Sequence, residues 1–236
     1  PKFQYDSSNC TGDKVLTGNS CGGKYEKCIE PLQYLYSDRT LSAEIIPGKS
    51  VIGIAVDPEN RLAVAIDYIM TTGWGGYGID IPTLENTPSS GAGIYVRGER
   101  DSYLIRDGKA NTAKILAYGR SNGISYPAAE AAYNYQPGSC SSSSWCGRGN
   151  WYLPSNWQVF PYFDNRATIH LMLKAINKMP DDWWYTRNDF YTVTSNEINA
   201  KESGFIYINT GGMAHGGKNL TEPDNLQTLV LPYITY

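Results

Sequence analysis

Two apolar runs dominate the first third of the chain. Val51–Asp57 reads VIGIAVD and Arg61–Asp67 reads RLAVAID. Both are rich in β-branched residues, and Pro58 and Asn60 between them supply turn chemistry, so the pair predicts a β-hairpin. From Lys109 to Tyr135 the pattern is helical. NTAKILAYG starts at Asn111, and Pro127, suited to a first helical position, precedes a run of alanines with high propensity. A second helical region follows GNWYLPS. Ser155 and Gln158 have the S-x-x-Q spacing of a capping box, with Ser155 as N-cap. Further on, Ile169, Met172, Leu173 and Ile176 recur at spacings of three and four and mark one apolar face. Pro161 is expected to kink or split this region. The tail is strand-and-turn sequence. GFIYIN and TLVLPYITY alternate, and the glycines of TGGMAHGG mark a turn between them. With helices in the middle and strands at both ends, the pattern predicts an α+β domain in which strands from the two ends pair.

Two stretches interrupt this pattern. Residues 1–45 carry little apolar sequence and three cysteines, and read as a small disulfide-tied lead-in to a main domain over 46–236. Thr71–Gly108 is a long glycine-rich stretch with little helical period, of the kind that packs on its own side chains and often carries function. Trp74, Tyr77, Tyr95 and Tyr103 are its packing candidates.

Composition narrows the class. The chain has 236 residues, 41% hydrophobic and 18% charged, enough for one sizeable domain. Nineteen tyrosines and 24 glycines with few charges fit a β-rich secreted or surface protein. The net charge of −3, with no basic cluster, argues against nucleic acid as the main partner. No apolar run is long enough to span a membrane. The chain starts at Pro1, so a mature or trimmed form is expected. The cysteines are Cys10, Cys21, Cys28, Cys140 and Cys146, none near a histidine, which points to disulfides in an oxidising compartment rather than to zinc. Cys140 with Cys146, across GSCSSSSWCG, is the first pairing expected and Cys21 with Cys28 the second. Cys10 then needs a partner elsewhere, and spacing alone does not fix connectivity.

Catalytic signals are sparse. The two histidines, His170 in a helix and His215 in the expected glycine turn, stand beside no nucleophile motif. WGGYGID lacks the G-K-S/T of a phosphate loop. Glu197 and Glu202 read as solvated charge. Glu222–Asn225 (EPDN) resembles the Glu-Pro-Asn tripeptide that coordinates calcium and sugar in animal C-type lectins, although a turn accounts for it more simply. The tail instead carries a recognition palette of aromatics with small polar residues: Trp184, Tyr185, Arg187, Asn188, Phe190, Tyr207, Asn209, His215 and Asn219. Trp151 and Leu153 are expected to enter the core, Pro154 to turn the chain, and Ser155 with Gln158 to cap the next helix, so GNWYLPS reads as a scaffold corner.

VIGIAVD, RLAVAID, WGGYGIDIP, DGKANT, YPAAEAAYNY and GNWYLPS occur in one order. That order resembles bacterial DUF1566 domains, also known as the C-terminal domain of Legionella collagen-like adhesins and similar to the Fibrobacter major paralogous domains. The resemblance covers about residues 45 to 236. It implies a C-type-lectin-like fold with two helices and small antiparallel sheets, on a non-catalytic surface module that binds a protein or glycan. Two departures fall at Asn156–Val159, where relatives have Gly-Glu-Leu, and at Trp184–Arg187, where relatives have Trp-Ser-Ser. The expected function is therefore an adhesin-like recognition domain, secreted, pilus-associated or phage-borne, with no cofactor and calcium left open. Its partners would be host or cell-surface proteins or glycans, or other pilus subunits. The alternatives are a structural pilin-like subunit and, more remotely, an enzyme of the formylglycine-generating type.

Overall fold

A computed structural model describes residues 15–16, 28–29, 32–71, 73–87, 107–178, 191–207, 213–219 and 228–236. The expected hairpin is present. Strands β5 (Val51–Asp57) and β6 (Leu62–Ala65) pair antiparallel with Ile54 opposite Val64 and Ala55 opposite Ala63. Asp57 accepts the Asn60 N–H, and Arg61 turns the chain with a left-handed φ of 53°.

These strands sit inside a five-stranded sheet. Beside β5 lie β3 (Gln33–Tyr36) and then β4 (Leu41–Ser42), and beside β6 lies the C-terminal β12 (Tyr233–Thr235). The segment 1–45 thus contributes β3 and β4 to the sheet built on the hairpin. Tyr34, Leu35 and Tyr36 are core residues next to β5, and a four-residue strand is too short for its period to show in sequence. A separate two-residue ladder joins β1 (Val15–Leu16) to β2 (Cys28–Ile29).

The second sheet has the order β10-β9-β8-β11-β7. Its strands are β7 (Ile69–Thr71), β8 (Tyr191–Glu197), β9 (Glu202–Tyr207), β10 (Met213–Gly217) and β11 (Thr228–Val230). All pairs are antiparallel except β11 with β8. Both sheets thus combine early and late strands, as the pattern predicted. The glycine-rich run Met213–Gly217, expected as a turn, is instead an edge strand on β9.

Among the described residues four helices stand where two were expected, because each helical region is divided. Asp107 caps α1 (Gly108–Asn122), which stops at Gly123 in a left-handed conformation, and α2 (Pro127–Asn134) restarts with Pro127 at its first turn. Ser155 and Gln158 form the reciprocal capping box of α3 (Asn156–Asp164). Pro161 lies within α3 and does not divide it. The break comes at Asn165, before α4 (Arg166–Ala175). There the Asn165 N–H turns to Tyr162 O, and its side-chain amide donates to the Pro161 carbonyl at 2.9 Å. The side chain thus replaces the helical bond lost at the break.

Alternation on the strands feeds three cores. Tyr34, Ile54, Val56 and Val64 of the first sheet and Ile206 and Leu229 of the second enclose Val159, Phe160, Phe163 and Ile169 of α3 and α4. The other face of the second sheet packs Tyr191, Val193 and Phe205 against α1 and α2. The other face of the first sheet, through Leu35, Ala55, Ala63 and Ile234, packs on Trp151 and the Cys140–Cys146 disulfide.

Candidate recognition end and the buried polar hub

GNWYLPS joins the two sheets. Trp151 is buried, stacks edge-on with Tyr135 at 4.8 Å, and donates its indole N–H to the Cys146 carbonyl at 2.8 Å. That carbonyl ends the disulfide loop, whose Trp145 indole reaches the Ser37 carbonyl at 2.8 Å in the turn after β3. Tyr152 and Tyr233 exchange both backbone hydrogen bonds, fixing the motif to β12. Leu153 N–H donates to the Thr112 hydroxyl of α1, and the Pro154 carbonyl accepts from Ser195 N–H of β8. Gln158 Oε1 accepts two backbone N–H groups, from Ser155 at 2.9 Å and from Gly108 at 3.1 Å, so one side chain holds the starts of α3 and α1 together. Among the described residues every predicted scaffold position, Trp151, Leu153, Pro154, Ser155 and Gln158, is buried.

Pro154 meets β8 where that strand is irregular. The β8–β9 register shifts between Val193 and Glu197, which frees Thr194, Ser195 and Asn196 from regular pairing. Other elements take their polar groups. Trp74 Nε1 donates to Thr194 O at 2.8 Å, and the Thr194 hydroxyl donates to Asn156 Oδ1 at 2.5 Å. Asn196 Oδ1 accepts the Asn156 N–H, its amide donates to Thr87, and Asn111 donates to the Ser195 hydroxyl. Gly204 on β9 is required here, because a Cβ would lie 2.8 Å from Asn156 Oδ1. The bulge therefore binds α1, α3 and the 73–87 loop in one buried network.

At the end of β8 the network carries charge. Glu197, read from sequence as solvated, is fully buried and forms an ion pair with Lys218, which is also fully buried. Lys218 Nζ also donates to the Ile79 carbonyl at 2.5 Å and lies 4.9 Å from the centre of the Trp74 ring. Ile81 N–H donates to Glu197 Oε2 at 3.1 Å. Burial pushes the Glu197 carboxyl up and the Lys218 amine down, each opposed by the attraction of the other. No sequence spacing announces this pair. The available signal was a strand, TVTSNE, whose uncharged polar residues are too small and too many for a simple solvent face.

The predicted recognition residues divide. Trp184, Tyr185, Arg187, Asn188, Phe190 and Asn209 lie outside the described residues, as do Tyr95, Tyr103, the EPDN segment and the side chains of Cys21 and Cys28. Tyr207 is half-buried and stacks edge-on with Phe205 at 5.4 Å. His215 is half-buried, with Nδ1 3.1 Å from Glu202 Oε1, and Asn219 is exposed. Register places Ala214 opposite Phe205 and His215 opposite Gly204. Tyr207 shares a face with Phe205, so Tyr207 and His215 point to opposite faces of the sheet and the structure does not bring them together. In the 73–87 loop Trp74 is buried, whereas Tyr77 is exposed. His170 is buried on α4.

Strand ends supply the grouping that side chains do not. Thr71, Thr228, Tyr191 and Tyr207 align across β7, β11, β8 and β9, and Met213 begins β10 beside Ile206. The chain stretches before Tyr191, between Tyr207 and Met213, and before Thr228 therefore all join the same end of this sheet. The opposite end holds Glu197, Glu202 and Lys218. Among the described residues no cluster of three or more metal-ligating side chains occurs, and no helix is long and apolar enough to cross a membrane.

No protein-family model and no curated protein matches the chain. Among solved structures, a fimbrial protein from Bacteroides ovatus is similar, with a TM-score of 0.56 and 14% identity. The match covers 86% of this chain and 48% of that one, so the chain spans about half the length of the fimbrial protein and shares its fold over most of its own length.

Proposed function

We propose that the chain is an extracellular, non-catalytic recognition domain that binds a protein or glycan at the end of the second sheet marked by Tyr191, Tyr207 and Thr228. The observation that carries the reading is the common register of these strand ends. It gives the stretches that contain Trp184, Tyr185, Arg187, Asn188, Phe190 and Asn209 one shared base on a sheet anchored by the polar hub. Rigid aromatics on a fixed base provide contact area at low entropic cost, and Asn and Arg provide adaptable hydrogen bonds. His215, on the other face, and Asn219, past the other end of β10, fit this surface less well than Tyr207.

The resemblance to DUF1566 domains and a C-type-lectin-like architecture belong to the same reading. A disulfide and a fold shared with a fimbrial protein favour a site outside the cell, at a surface or on a pilus. The test is a glycan and cell-surface-protein array probed with the wild type and with Tyr185, Arg187 and Tyr207 changed together to Ala. The triple variant, with circular dichroism unchanged, should lose the interaction. Retained binding removes the site. Titration with calcium and with chelator in the same assay decides whether the ion takes part.

The fimbrial likeness also favours a second reading, a structural subunit of a surface assembly. It predicts concentration-dependent oligomers or filaments of the full-length protein without any soluble ligand.

A further inference from the structure

We propose that Lys218 and Glu197 are joined by an intramolecular amide bond between Nζ and Cδ. The two side chains are in direct contact, neither is exposed to solvent, and they come from opposite sides of β9, one at the end of β8 and the other just past β10.

The partners around the pair match an amide. An amide offers one N–H and one carbonyl. The Ile79 carbonyl accepts from Lys218 Nζ, and the Ile81 N–H points at the Glu197 carboxyl group. The two backbone groups come from one short piece of the 73–87 loop and would keep both bonds after condensation. An ammonium has three N–H groups and a carboxylate about four acceptor sites. For the remaining capacity the site offers the face of Trp74 to the amine and a second, longer approach of Ile81 N–H, at 3.4 Å, to the carboxylate. A buried ion pair also carries the cost of desolvating two charges, which a neutral amide does not.

The reaction balances within the pair. The proton shared between the groups moves to the carboxylate, giving a neutral amine and a neutral acid, and burial favours both neutral forms. The amine lone pair attacks Cδ, with Ile81 N–H stabilising the oxygen that gains charge. The C–OH bond breaks, and the hydroxyl leaves with one amine proton as water. No oxidant, metal or co-reactant is needed. The product would tie β8 to β10 across β9 and clasp the 73–87 loop, making this end of the sheet resistant to pulling and to proteases.

Intact-mass measurement of the full chain, reduced and denatured, is the test. The expected mass is lighter than the sequence by one water. Trypsin should fail to cut after Lys218 and should release a branched peptide holding both Glu197 and Lys218. Lys218→Arg keeps the charge but cannot form the bond, and should return to the full sequence mass. If that variant does not fold, the wild-type digest decides alone. A wild-type chain of full sequence mass, cut after Lys218, overturns the proposal and leaves an ordinary ion pair.

Discussion

The two sheets are held by different forces. In the first, the buried positions of β3, β5, β6 and β12 are apolar, from Tyr34 and Leu35 to Ile54, Val64 and Ile234. In the second, β8 buries Thr192, Thr194, Ser195, Asn196 and Glu197. Apolar packing is non-directional and tolerates swaps that keep volume. A buried polar network is directional, and losing one partner exposes the full desolvation cost of the other. The first sheet therefore provides stability with loose sequence demands. The second fixes geometry, as befits a sheet whose far end is proposed to present recognition segments.

The largest effects should come where the two regimes meet and where charge is buried. Trp151→Ala removes a buried indole that packs on the first sheet and bonds to the disulfide loop, and should cost about 3–5 kcal/mol. Lys218→Ala strands the Glu197 carboxyl in the interior, and should cost a similar amount of about 3–5 kcal/mol. Urea unfolding measures both. A Lys218→Ala variant as stable as the wild type would remove the distinction between the sheets.

A matched pair sharpens the comparison. Ile54→Val trims one methylene from the first sheet's core and should cost about 0.5–1.5 kcal/mol. Asn156→Ala takes away the nearer of the two acceptors of the Thr194 hydroxyl and the side chain that fills the hub, and should cost about 1–3 kcal/mol despite a site of modest volume. If the two variants unfold at the same urea concentration, the hub contributes packing and nothing more.

This contrast also explains how much could be read from sequence. The β5–β6 hairpin was legible because apolar burial leaves an apolar run, and the α3 cap was legible because Ser155 and Gln158 act over three residues. The apolar face of α4 was legible through Ile169, Met172 and Leu173. What was missed depended on distant partners. Nothing near Glu197 reveals Lys218, and nothing near Asn156 reveals Thr194 and Asn196, because those contacts form only when β8 meets α3. The short strand β3 left too few residues to show a period. Met213–Gly217 looked like a turn because its glycines hide an edge strand specified by its neighbour β9. The candidate site was legible as a palette of residue types, while the common strand end on which its proposed placement rests is a matter of register that no local pattern shows.

Smaller effects are expected in alkali, and both sheets should contribute. Tyr152, bonded to Thr235 beside the first sheet, and Tyr126, packed over the second sheet's outer face, each have the phenol pushed up to about 12. Burial is the main cause in both, since it disfavours the phenolate. A folded pKa above the unfolded value near 10 means the folded state holds protons that the unfolded state releases. This stability is fully present below pH 10 and is lost as pH rises toward 12. Tyr152→Phe should therefore flatten part of the fall in melting temperature over that window. An unchanged slope would assign the alkaline limb to other groups.

The finest distinction lies within the second sheet, between Tyr207 and His215. Both were drawn from the same recognition palette, yet they face opposite sides, and only Tyr207 sits at the shared strand end. His215→Ala on the edge strand β10 removes a hydrogen-bond partner of Glu202 with 19% of its own side chain exposed, and should change stability by about 0.5 kcal/mol or less. Its effect on ligand capture should be equally slight. Tyr207→Ala should weaken capture by about tenfold or more, as truncating an aromatic anchor does. Tyr207 also packs on Phe205, so its unfolding midpoint must be measured beside its binding. A loss of binding that exceeds the loss of stability places contact at the strand end. Equal binding losses for the two variants would instead put the ligand around the β10 edge, where the sheet's two faces meet.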